Sequence, residues 1–435
     1  MCYAIPGKVV DIDDRFVTVE YFGEKKRALN EIDDLCIGDY IYAQGGYVIQ
    51  KIDRAEAEGI LNVWKETFFD LQEVDLRLSR IKSDEDGIDP KVGKLLDKAV
   101  EGRELNKDEL LQLLKLTNEK EIELLLKVGN FLRQKHLGNS CCVHGIIEFS
   151  NYCPRQCHYC GISALNKNID RYRLSKEEIV EIACEAINKY GFKALVLQSG
   201  EDPAYSVDDL CEIIKEIKEK APVLIFISVG EVGIEGLKKL HQAGARGILL
   251  RFETSNPDLY HKIHPGQDLN YRIRHLEEAY KMGYLIITGG LIGLPDQAKE
   301  DILNDILLAK SLHSEMYSFG PFLPHPETPF SNEPKPQTVD ILKALAVCRI
   351  ADANEGKILV TTGFETLEPQ ARQKGLLAGA NSVMLNVTPD RFKHLYSIYP
   401  NRAHADEGLQ EQIDITLKIL RDIGRAPTDL GISTL

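Results

Sequence analysis

The chain has 435 residues, 28% of them charged and 43% hydrophobic, which is the composition of a globular protein with about two or three domains. A net charge of −14 argues against a broad nucleic-acid footprint, and no apolar run reaches the roughly 18 residues of a membrane span. Ten cysteines in so long a chain, with no visible signal peptide, do not form a secreted disulfide framework and predict a cytoplasmic protein.

Short runs of alternating apolar and polar residues open the chain and predict a small, OB-like β-barrel within about residues 1–80. The predicted strands are Lys8–Ile12, Phe16–Tyr21, Asp39–Ala43 and Gly45–Gln50. A helix is expected from about Asp53, because apolar residues recur there on one helical stripe, namely Ile60, Leu61, Trp64, Phe68 and Leu71.

The first eight residues, Met-Cys-Tyr-Ala-Ile-Pro-Gly-Lys, resemble the start of the HypC/HupF family of hydrogenase maturation chaperones. The later stretches Gly38-Asp-Tyr-Ile and Gly45-Gly-Tyr-Val-Ile match as well, whereas Tyr3 replaces a commoner aliphatic residue. The resemblance implies that the initiator Met is removed and that Cys2 binds an iron-bearing intermediate or a partner, since thiolates favour soft metals. The alternative is a cysteine that merely follows the start codon.

A polar stretch with Gly and Pro, residues 81–92, is predicted to be an interdomain linker. Leucines at helical spacing predict two helices, near Pro90–Glu101 and Lys107–Lys135, and a helical extension over residues 93–142. The charged run that starts at Asn118 and ends at Glu121 is expected to be solvated surface.

From residue 143 onward strands and helices alternate, and eight such repeats predict a complete (β/α)8 TIM-type barrel over residues 143–435. The predicted strands are 143–149, 193–198, 223–228, 247–251, 284–289, 315–319, 358–362 and 382–386. An open, doubly wound sheet is the alternative, although eight regular repeats fit it poorly. Catalytic residues should lie at the carboxyl ends of the barrel strands.

A cysteine-rich loop, Cys153-Pro-Arg-Gln-Cys157-His-Tyr-Cys160, follows the first of these strands. Iron–sulfur clusters usually take four cysteines, so three thiolates leave one iron open for chemistry. With Tyr159 before the last cysteine, the spacing resembles the signature of the radical S-adenosylmethionine (SAM) superfamily. The resemblance implies one 4Fe-4S cluster on Cys153, Cys157 and Cys160, with SAM on the open iron and its reductive cleavage to a 5′-deoxyadenosyl radical. The alternative is a zinc site that also uses His158, although structural zinc normally needs two spaced ligand pairs.

Candidate SAM-binding residues follow the next strands. Gly200 permits close backbone approach, and neighbouring carboxylates can receive the ammonium of an amino-acid ligand. Arg251 and Glu253 are costly to bury unless they pair with each other or with an ionic ligand such as the SAM carboxylate. The predicted set is Tyr159, Gly200, Glu201, Asp202, Ser228, Glu231, Arg251, Glu253, Arg272 and Ile292. A ligand-free turn at Gly200 and a surface position for Arg272 are the alternatives.

The ends of the last two strands carry Thr361, Thr362, Met384 and Asn386, which are predicted to line a substrate chamber. Hydroxyl groups at strand ends are as often simple capping groups, so both interpretations stay open.

The part of the chain after residue 90 resembles the family of HydE, the radical SAM maturase of FeFe-hydrogenase. The matching stretches begin at Ile147, Tyr159, Asn168, Leu197, Leu250, Gly320 and Asn386. The resemblance implies a deep, sealed chamber. Some members have extra carboxyl-terminal cysteines for a second cluster, but the last cysteine here is Cys348, so one cluster is expected. Phe252 replaces a histidine of some relatives. HypC proteins resemble the first part of the chain and belong to NiFe-hydrogenase maturation, whereas HydE belongs to FeFe-hydrogenase maturation. The fusion therefore does not indicate which of the two maturation pathways this protein serves.

The leading hypothesis is a radical SAM enzyme that modifies a small iron- or sulfur-containing ligand during assembly of a hydrogenase-type metal cofactor. The HypC-like domain would carry the iron species or dock a partner, and the partners would be the small organometallic substrate, a reductant such as ferredoxin or flavodoxin, and other hydrogenase maturases. The alternatives are a small-molecule radical enzyme like biotin synthase or the methylornithine synthase PylB, and a non-catalytic iron-carrying scaffold.

Overall fold

The computed structural model describes residues 5–81 and 87–431, so Cys2 lies outside the described residues. The amino-terminal part is a closed five-stranded barrel with the strand order β1-β2-β3-β5-β4. Its strands are β1 Gly7–Asp13, β2 Phe16–Tyr21, β3 Glu24–Leu29, β4 Tyr40–Gln44 and β5 Tyr47–Ile52. Alternate valines of β1 and β2 fill the interior, as the period of two predicts. Strand β3 was not predicted, because Ala28 is its only fully buried residue and its pattern of apolar residues is therefore weak.

Helix α1, Arg54–Leu78, follows the small barrel. Asp53 begins it by accepting hydrogen bonds from the backbone N–H groups of Ala55 and Glu56, as an N-cap aspartate does. The helix buries Trp64, Phe68 and Leu71 against the small barrel. The predicted apolar stripe is therefore the face that packs.

Three helices form the extension before the large barrel: α2 Pro90–Val100, α3 Lys107–Leu114 and α4 Glu119–Leu137. The single helix predicted over Lys107–Lys135 is wrong, because Asn118 caps a new helix through the N–H groups of Lys120 and Glu121. The assignment of this run to solvated surface is wrong for Glu121, whose buried side chain accepts a hydrogen bond from Asp89 N.

The large barrel has eight parallel strands in sequential order, which confirms the predicted fold class. They are β6 Ser140–Ser150, β7 Ala194–Ser199, β8 Leu224–Ser228, β9 Gly247–Leu249, β10 Leu285–Thr288, β12 Ser314–Tyr317, β14 Lys357–Ile358 and β15 Ser382–Asn386. The barrel closes between β14 and β15 through an isolated bridge from Leu359 to Ser382, where Val360 N donates to Ser382 O at 2.9 Å. Each observed strand overlaps its predicted range.

The helices of the barrel alternate with these strands. They are α5 Lys176–Asn188, α6 Val207–Lys220, α7 Ile234–Ala243, α8 Pro257–Ile263, α9 Leu269–Lys281, α10 Lys299–Ser311, α11 Thr338–Ala351, α12 Thr362–Leu367, α13 Ala371–Leu377, α14 Asp390–Lys393 and α15 Leu409–Asp422. Short strands β11 Leu291–Ile292 and β13 Gly320–Pro321 pair with each other, and β16 Ala426–Pro427 pairs with the start of β6. No helix within residues 5–81 and 87–431 has the length and apolar character that a membrane crossing requires.

The small barrel packs against the amino-terminal end of the large barrel. Tyr47 OH donates to Gly283 O at 3.0 Å, just before β10, and Glu31 forms an ion pair with Arg246, just before β9. A Cβ on Gly45 would lie 2.8 Å from the side chains of Leu224 and Leu285, which begin β8 and β10. The small domain therefore lies at the end of the barrel opposite to the carboxyl ends of its strands.

A buried ion cluster joins α1, the helical extension and the end of the chain. The Asp75 carboxylate accepts hydrogen bonds from Arg133 at 2.7 Å and from Arg425 at 2.9 Å. Both arginines also bond to Asn130 Oδ1. All four side chains are buried, and Asp75 is the carboxylate that both arginines contact, while backbone carbonyl groups accept further hydrogen bonds from both.

Candidate functional site

The cysteine loop lies at the carboxyl end of β6 and rests on the turn after β7. A Cβ on Gly200 would lie 2.2 Å from Tyr152 O and 2.8 Å from Cys153 Cβ. Only glycine fits such a close approach of two backbones. Gly200 therefore supports the loop, in addition to lining the cavity beside it.

The three thiols of the loop face a cavity of about 210 Å³. Burial raises the pKa of all three, that of Cys157 to about 12, so they are neutral without a cation. His264 Nδ1 lies 3.1 Å from Cys157 Sγ, and burial lowers the pKa of His264 well below its usual value. Buried thiols become stable thiolates when they ligate a metal.

The spacing of the thiols decides between a single ion and a cluster. No three ligand atoms among these cysteines and His158 lie within 4.8 Å of one another. Zinc–ligand bonds of about 2.0–2.3 Å would require closer contacts. The imidazole of His158 instead packs edge-on against Phe330. The donor set fits a cluster larger than one ion, and the zinc alternative finds no support.

Two carboxylates and two arginines form an alternating network beside the loop. Arg155 Nε binds Glu201 at 2.6 Å, and its Nη2 binds Glu231 at 3.1 Å. Arg272 Nε binds Glu231 at 2.8 Å from the other side. Burial raises the pKa of Glu201, and the two arginines oppose that rise. Arg272 is buried rather than on the surface.

Arg155 was missed by the sequence analysis, which gave weight only to the cysteines and the aromatic residue of the loop. The position of Arg155 inside the cysteine loop could have indicated its role, because this loop faces the glutamates Glu201 and Glu231 that follow the next two strands.

Arg251 and Glu253 form an ion pair at 2.8 Å beyond the end of β9. Residues two apart on a regular strand would face the same side, but Glu253 leaves the strand conformation with a left-handed backbone, φ of +68°. The buried Nε and Nη2 of Arg251 and Oε2 of Glu253 make no well-aligned hydrogen bond. Arg251 also lines the cavity, where its guanidinium fits an anionic group such as a carboxylate.

Five predicted residues within the described part of the chain are not on the walls of this cavity or of the cavity beside it. Two of them, Glu231 and Glu253, contact the arginines described above. The other three are Asp202, Ile292 and Asn386. Asp202 is bound to Arg173 at 2.6 Å and to Ser150 Oγ at 2.5 Å, and it faces away from the thiols. Ile292 is in the main hydrophobic core, while its neighbour Leu291 lines a second cavity, which is described below. Asn386 donates to Glu148 Oε2 at 2.9 Å and so supports the site from behind.

Ser228 is on the wall of the first cavity, where its hydroxyl donates to Gln198 Oε1 at 3.2 Å. Tyr159 lines this cavity and the next one. The phenol is buried, which raises its pKa well above the usual value and keeps it protonated.

A second cavity of about 220 Å³ adjoins the first, and Cys160 and Arg251 line both. Three of the predicted substrate residues, Thr361, Thr362 and Met384, are on its walls. Thr361 also caps α12 by accepting a hydrogen bond from Phe364 N, so the capping interpretation holds for it as well.

A buried ion pair that the sequence did not reveal closes one side of the second cavity. Arg402 lines the cavity and binds both carboxylate oxygens of Glu148, with Nη1 at 2.7 Å from Oε2. The two residues are 254 positions apart in the chain, which is why no local pattern pointed to them.

Comparisons with known proteins agree with this geometry. The model of the Radical SAM superfamily matches residues 147–309, and the model of the HupF/HypC family matches residues 1–64. The chain is 38% identical over 335 residues to the [FeFe] hydrogenase maturase subunit HydE of Thermotoga maritima, covering 77% of this chain and 95% of that protein. It is 31% identical over 336 residues to the 3-methylornithine synthase of Methanosarcina acetivorans, covering 76% of this chain and 93% of that protein.

Solved structures show the same barrel. Methylornithine synthase (PylB) superposes with a TM-score of 0.66 at 28% identity, covering 77% of this chain and 97% of that one. The FeFe-hydrogenase maturase HydG from Carboxydothermus hydrogenoformans superposes with a TM-score of 0.67 at 22% identity, which shows the fold alone; it covers 86% of this chain and 84% of that one. The chain therefore belongs to the radical SAM superfamily, is an enzyme similar to HydE and 3-methylornithine synthase, and has a HupF/HypC-family domain at its amino-terminal end.

Proposed function

We propose that this enzyme cleaves SAM and modifies a small iron- and sulfur-containing ligand during maturation of a hydrogenase-type metal cofactor. The observation that supports it most is the adjoining pair of cavities at the carboxyl ends of the strands, joined at Cys160 and Arg251. One cavity has the thiols and the charged network, and the other has the hydroxyl groups and apolar walls.

In this proposal Cys153, Cys157 and Cys160 hold one 4Fe-4S cluster. When bound and reduced by a ferredoxin or flavodoxin, the cluster with SAM supplies a 5′-deoxyadenosyl radical. Glu201 accepts the SAM ammonium, because its carboxylate lines the cavity beside the thiols. Arg251, which lines the same cavity, donates to the SAM carboxylate, and Glu231 holds Arg272 in place.

The second cavity holds the substrate. Its volume of about 220 Å³ fits a compact ligand. The positive groups on its walls are Arg251 and Arg402. Glu148 binds Arg402 through both carboxylate oxygens, whereas Glu253 binds Arg251 through a single contact. Arg251 is therefore the wall cation more open to an anionic substrate or SAM. Thr361 and Thr362 provide hydroxyl groups for orientation.

The HypC-like domain carries the iron species through Cys2 or docks a partner. Since the domain packs on the amino-terminal end of the large barrel, it contributes none of its described residues to either cavity. The lumen of the large barrel, between the small domain and the two cavities, is filled by side chains such as Phe226 and Ile287. Transfer from this domain to the cavity of the same barrel would have to cross roughly five residues of strand, or about 17 Å. The arrangement therefore favours docking or delivery to another molecule.

A small-molecule mutase of the 3-methylornithine synthase type is a second candidate, because that relative is 31% identical to this chain. A non-catalytic scaffold is the third. Anaerobic reconstitution with iron and sulfide, followed by reduction in the presence of SAM, should release 5′-deoxyadenosine and methionine. A Cys160→Ala variant is the control for background cleavage. Absence of cleavage with and without candidate substrates would support the scaffold instead.

Cys2→Ala should leave SAM cleavage unchanged and impair delivery or partner binding. Cleavage can be measured by chromatography, and partner binding by affinity capture with purified maturases. Loss of SAM cleavage in this variant would contradict the proposed division of roles.

A further inference from the structure

A second group of metal-ligand side chains lies at the other end of the large barrel. Cys142 and His144 are alternate residues of β6, so both point to the same face of the strand, into the barrel lumen. Asp429 follows β16, which pairs with the start of β6. The three residues are at most 2% exposed. The group is therefore separate from the cysteine loop, which lies at the carboxyl ends of the strands.

The donor atoms of this group are close enough for one ion. The thiol, an imidazole nitrogen and a carboxylate oxygen all lie within 4.8 Å of one another. His144 Nε2 and Asp429 Oδ2 are 3.3 Å apart, longer than a good charge-assisted hydrogen bond of about 2.7–2.9 Å. Tetrahedral bonds of about 2.0–2.1 Å would place two ligand atoms about 3.3 Å apart. The separation thus suits two ligands of a common ion.

The charged groups around Asp429 also leave room for a cation. Lys357 forms an ion pair with Glu315, so its charge is shared with another carboxylate. Thr428 Oγ1 donates to Asp429 Oδ2 at 2.8 Å. A buried carboxylate needs a proton, a cationic partner or a metal beside it, and an ion held by Cys142 and His144 as well would meet that need.

The imidazole of His144 is held in place by packing. Its ring stacks on Phe226 at 5.2 Å between centroids, and its Nδ1 is buried with no hydrogen-bond partner. Nε2, which lies 3.3 Å from Asp429 Oδ2, is the nitrogen that would bind the ion, since imidazole binds metals through a ring nitrogen that carries no proton.

We propose that Cys142, His144 and Asp429 bind one divalent transition-metal ion of the zinc class at the joint between the two barrels. Sulfur, nitrogen and oxygen donors are the set that Zn²⁺ accepts. On binding, the metal displaces the thiol proton of Cys142, which passes to solvent. The ion cross-links β6 to the segment after β16, where Thr428 O accepts a hydrogen bond from Gln44 of the small barrel. It therefore stabilises the surface on which the small domain sits.

Cobalt is the probe for the test, because Co²⁺ occupies zinc sites and its bond to a thiolate gives a charge-transfer absorption band. The full chain is used with Cys2, Cys153, Cys157 and Cys160 replaced by serine, so that neither the cluster loop nor the terminus can bind the probe. We expect one equivalent of Co²⁺ and a thiolate band in this parent protein.

The site variants are Cys142→Ser, His144→Gln and Asp429→Asn in the same background. Cys142→Ser should abolish the band, and each of the other two should weaken Co²⁺ binding at least about tenfold, as loss of a ligand partner does. Cys141→Ser is the matched control, since Cys141 is the adjacent buried cysteine and faces the opposite side of β6. It should keep both the band and the affinity.

Persistence of the band in Cys142→Ser, or failure of the parent to bind Co²⁺, would overturn the proposal and leave His144 as a hydrogen-bond partner of Asp429. If a site variant does not fold, zinc X-ray absorption on the parent protein decides. A mixed sulfur, nitrogen and oxygen shell supports the site, and absence of bound zinc after supplementation overturns it. Neither result depends on SAM cleavage, so the outcome is independent of the proposed function.

Discussion

Arg155 contacts two carboxylates at once, and both contacts lie beside the thiols of the cysteine loop. Without a ligand, Arg155 and Arg272 together balance Glu201 and Glu231. The ammonium and carboxylate of SAM together carry no net charge, so these two groups can exchange partners with the network without changing its charge balance. This exchange makes Glu201 the residue whose change should report most directly on SAM binding.

Glu201→Gln should weaken SAM binding by about 10- to 100-fold, because a hydrogen bond to a charged group contributes about 1.5–3 kcal/mol. The measurement is equilibrium dialysis of SAM with the reconstituted protein. Glu185→Gln, on the exposed side of α5, is the control and should bind as the parent does. Equal affinity in Glu201→Gln would exclude the proposed ammonium contact.

At the scale of single elements, the turn after β7 determines whether the cysteine loop can reach its position. Gly200→Ala should prevent cluster assembly without unfolding the barrel, since the new methyl group would overlap Tyr152 O. Iron and sulfide content after reconstitution is the measurement, with circular dichroism to confirm folding.

Gly59→Ala is the control for this change. Gly59 lies in α1 with no atom within 4 Å of the added methyl group, so alanine there should leave iron content unchanged. Full iron content in Gly200→Ala would show that the loop tolerates a shift of the turn.

The elements also show what could be learned from the sequence. Strand and helix periodicity predicted the eight barrel strands, because buried parallel strands are continuous apolar runs. The same approach missed β3, whose residues Glu24–Leu29 are mostly charged and half exposed. Asp202 was predicted to bind SAM, but its carboxylate binds Arg173 and Ser150 instead. A position directly after a strand does not determine the direction in which a side chain points.

The cysteine loop, Glu201 and Thr361 were found because each lies next to a strand end or within a spaced motif. Arg155, Glu148 and Arg402 were not found, because their roles depend on contacts between segments distant in the chain. The packing of the small barrel on the amino-terminal end of the large one was unpredictable for the same reason.

At the scale of the whole molecule, Asp75 connects α1 to α4 and to the end of the chain. Asp75→Ala would leave Arg133 and Arg425 buried without a counter-charge. The free energy of unfolding should fall by about 3–5 kcal/mol, the cost of breaking a buried ion pair. Urea denaturation is the measurement, and Asp70→Ala, at an exposed position of the same helix, should change it little.

The joint between the barrels depends on the close approach of Gly45. Gly45→Val should lower the melting temperature of the small domain and speed hydrogen exchange in β4 and β5, because the side chain would press on Leu224 and Leu285. Gly46→Val has a similar backbone strain, with φ of +80°, but meets no atom within 4 Å. Comparison of the two variants isolates the contact, and equal effects would show that only backbone strain matters. SAM cleavage should persist in both.

The location of the small barrel sets how this enzyme can assemble with other proteins. A redox protein that approaches the cysteine loop and a protein that binds the small barrel contact opposite poles of the molecule. Neither has to dissociate before the other can bind. A ternary complex is therefore sterically open, so under the proposed function electron supply and cargo exchange do not compete for one surface.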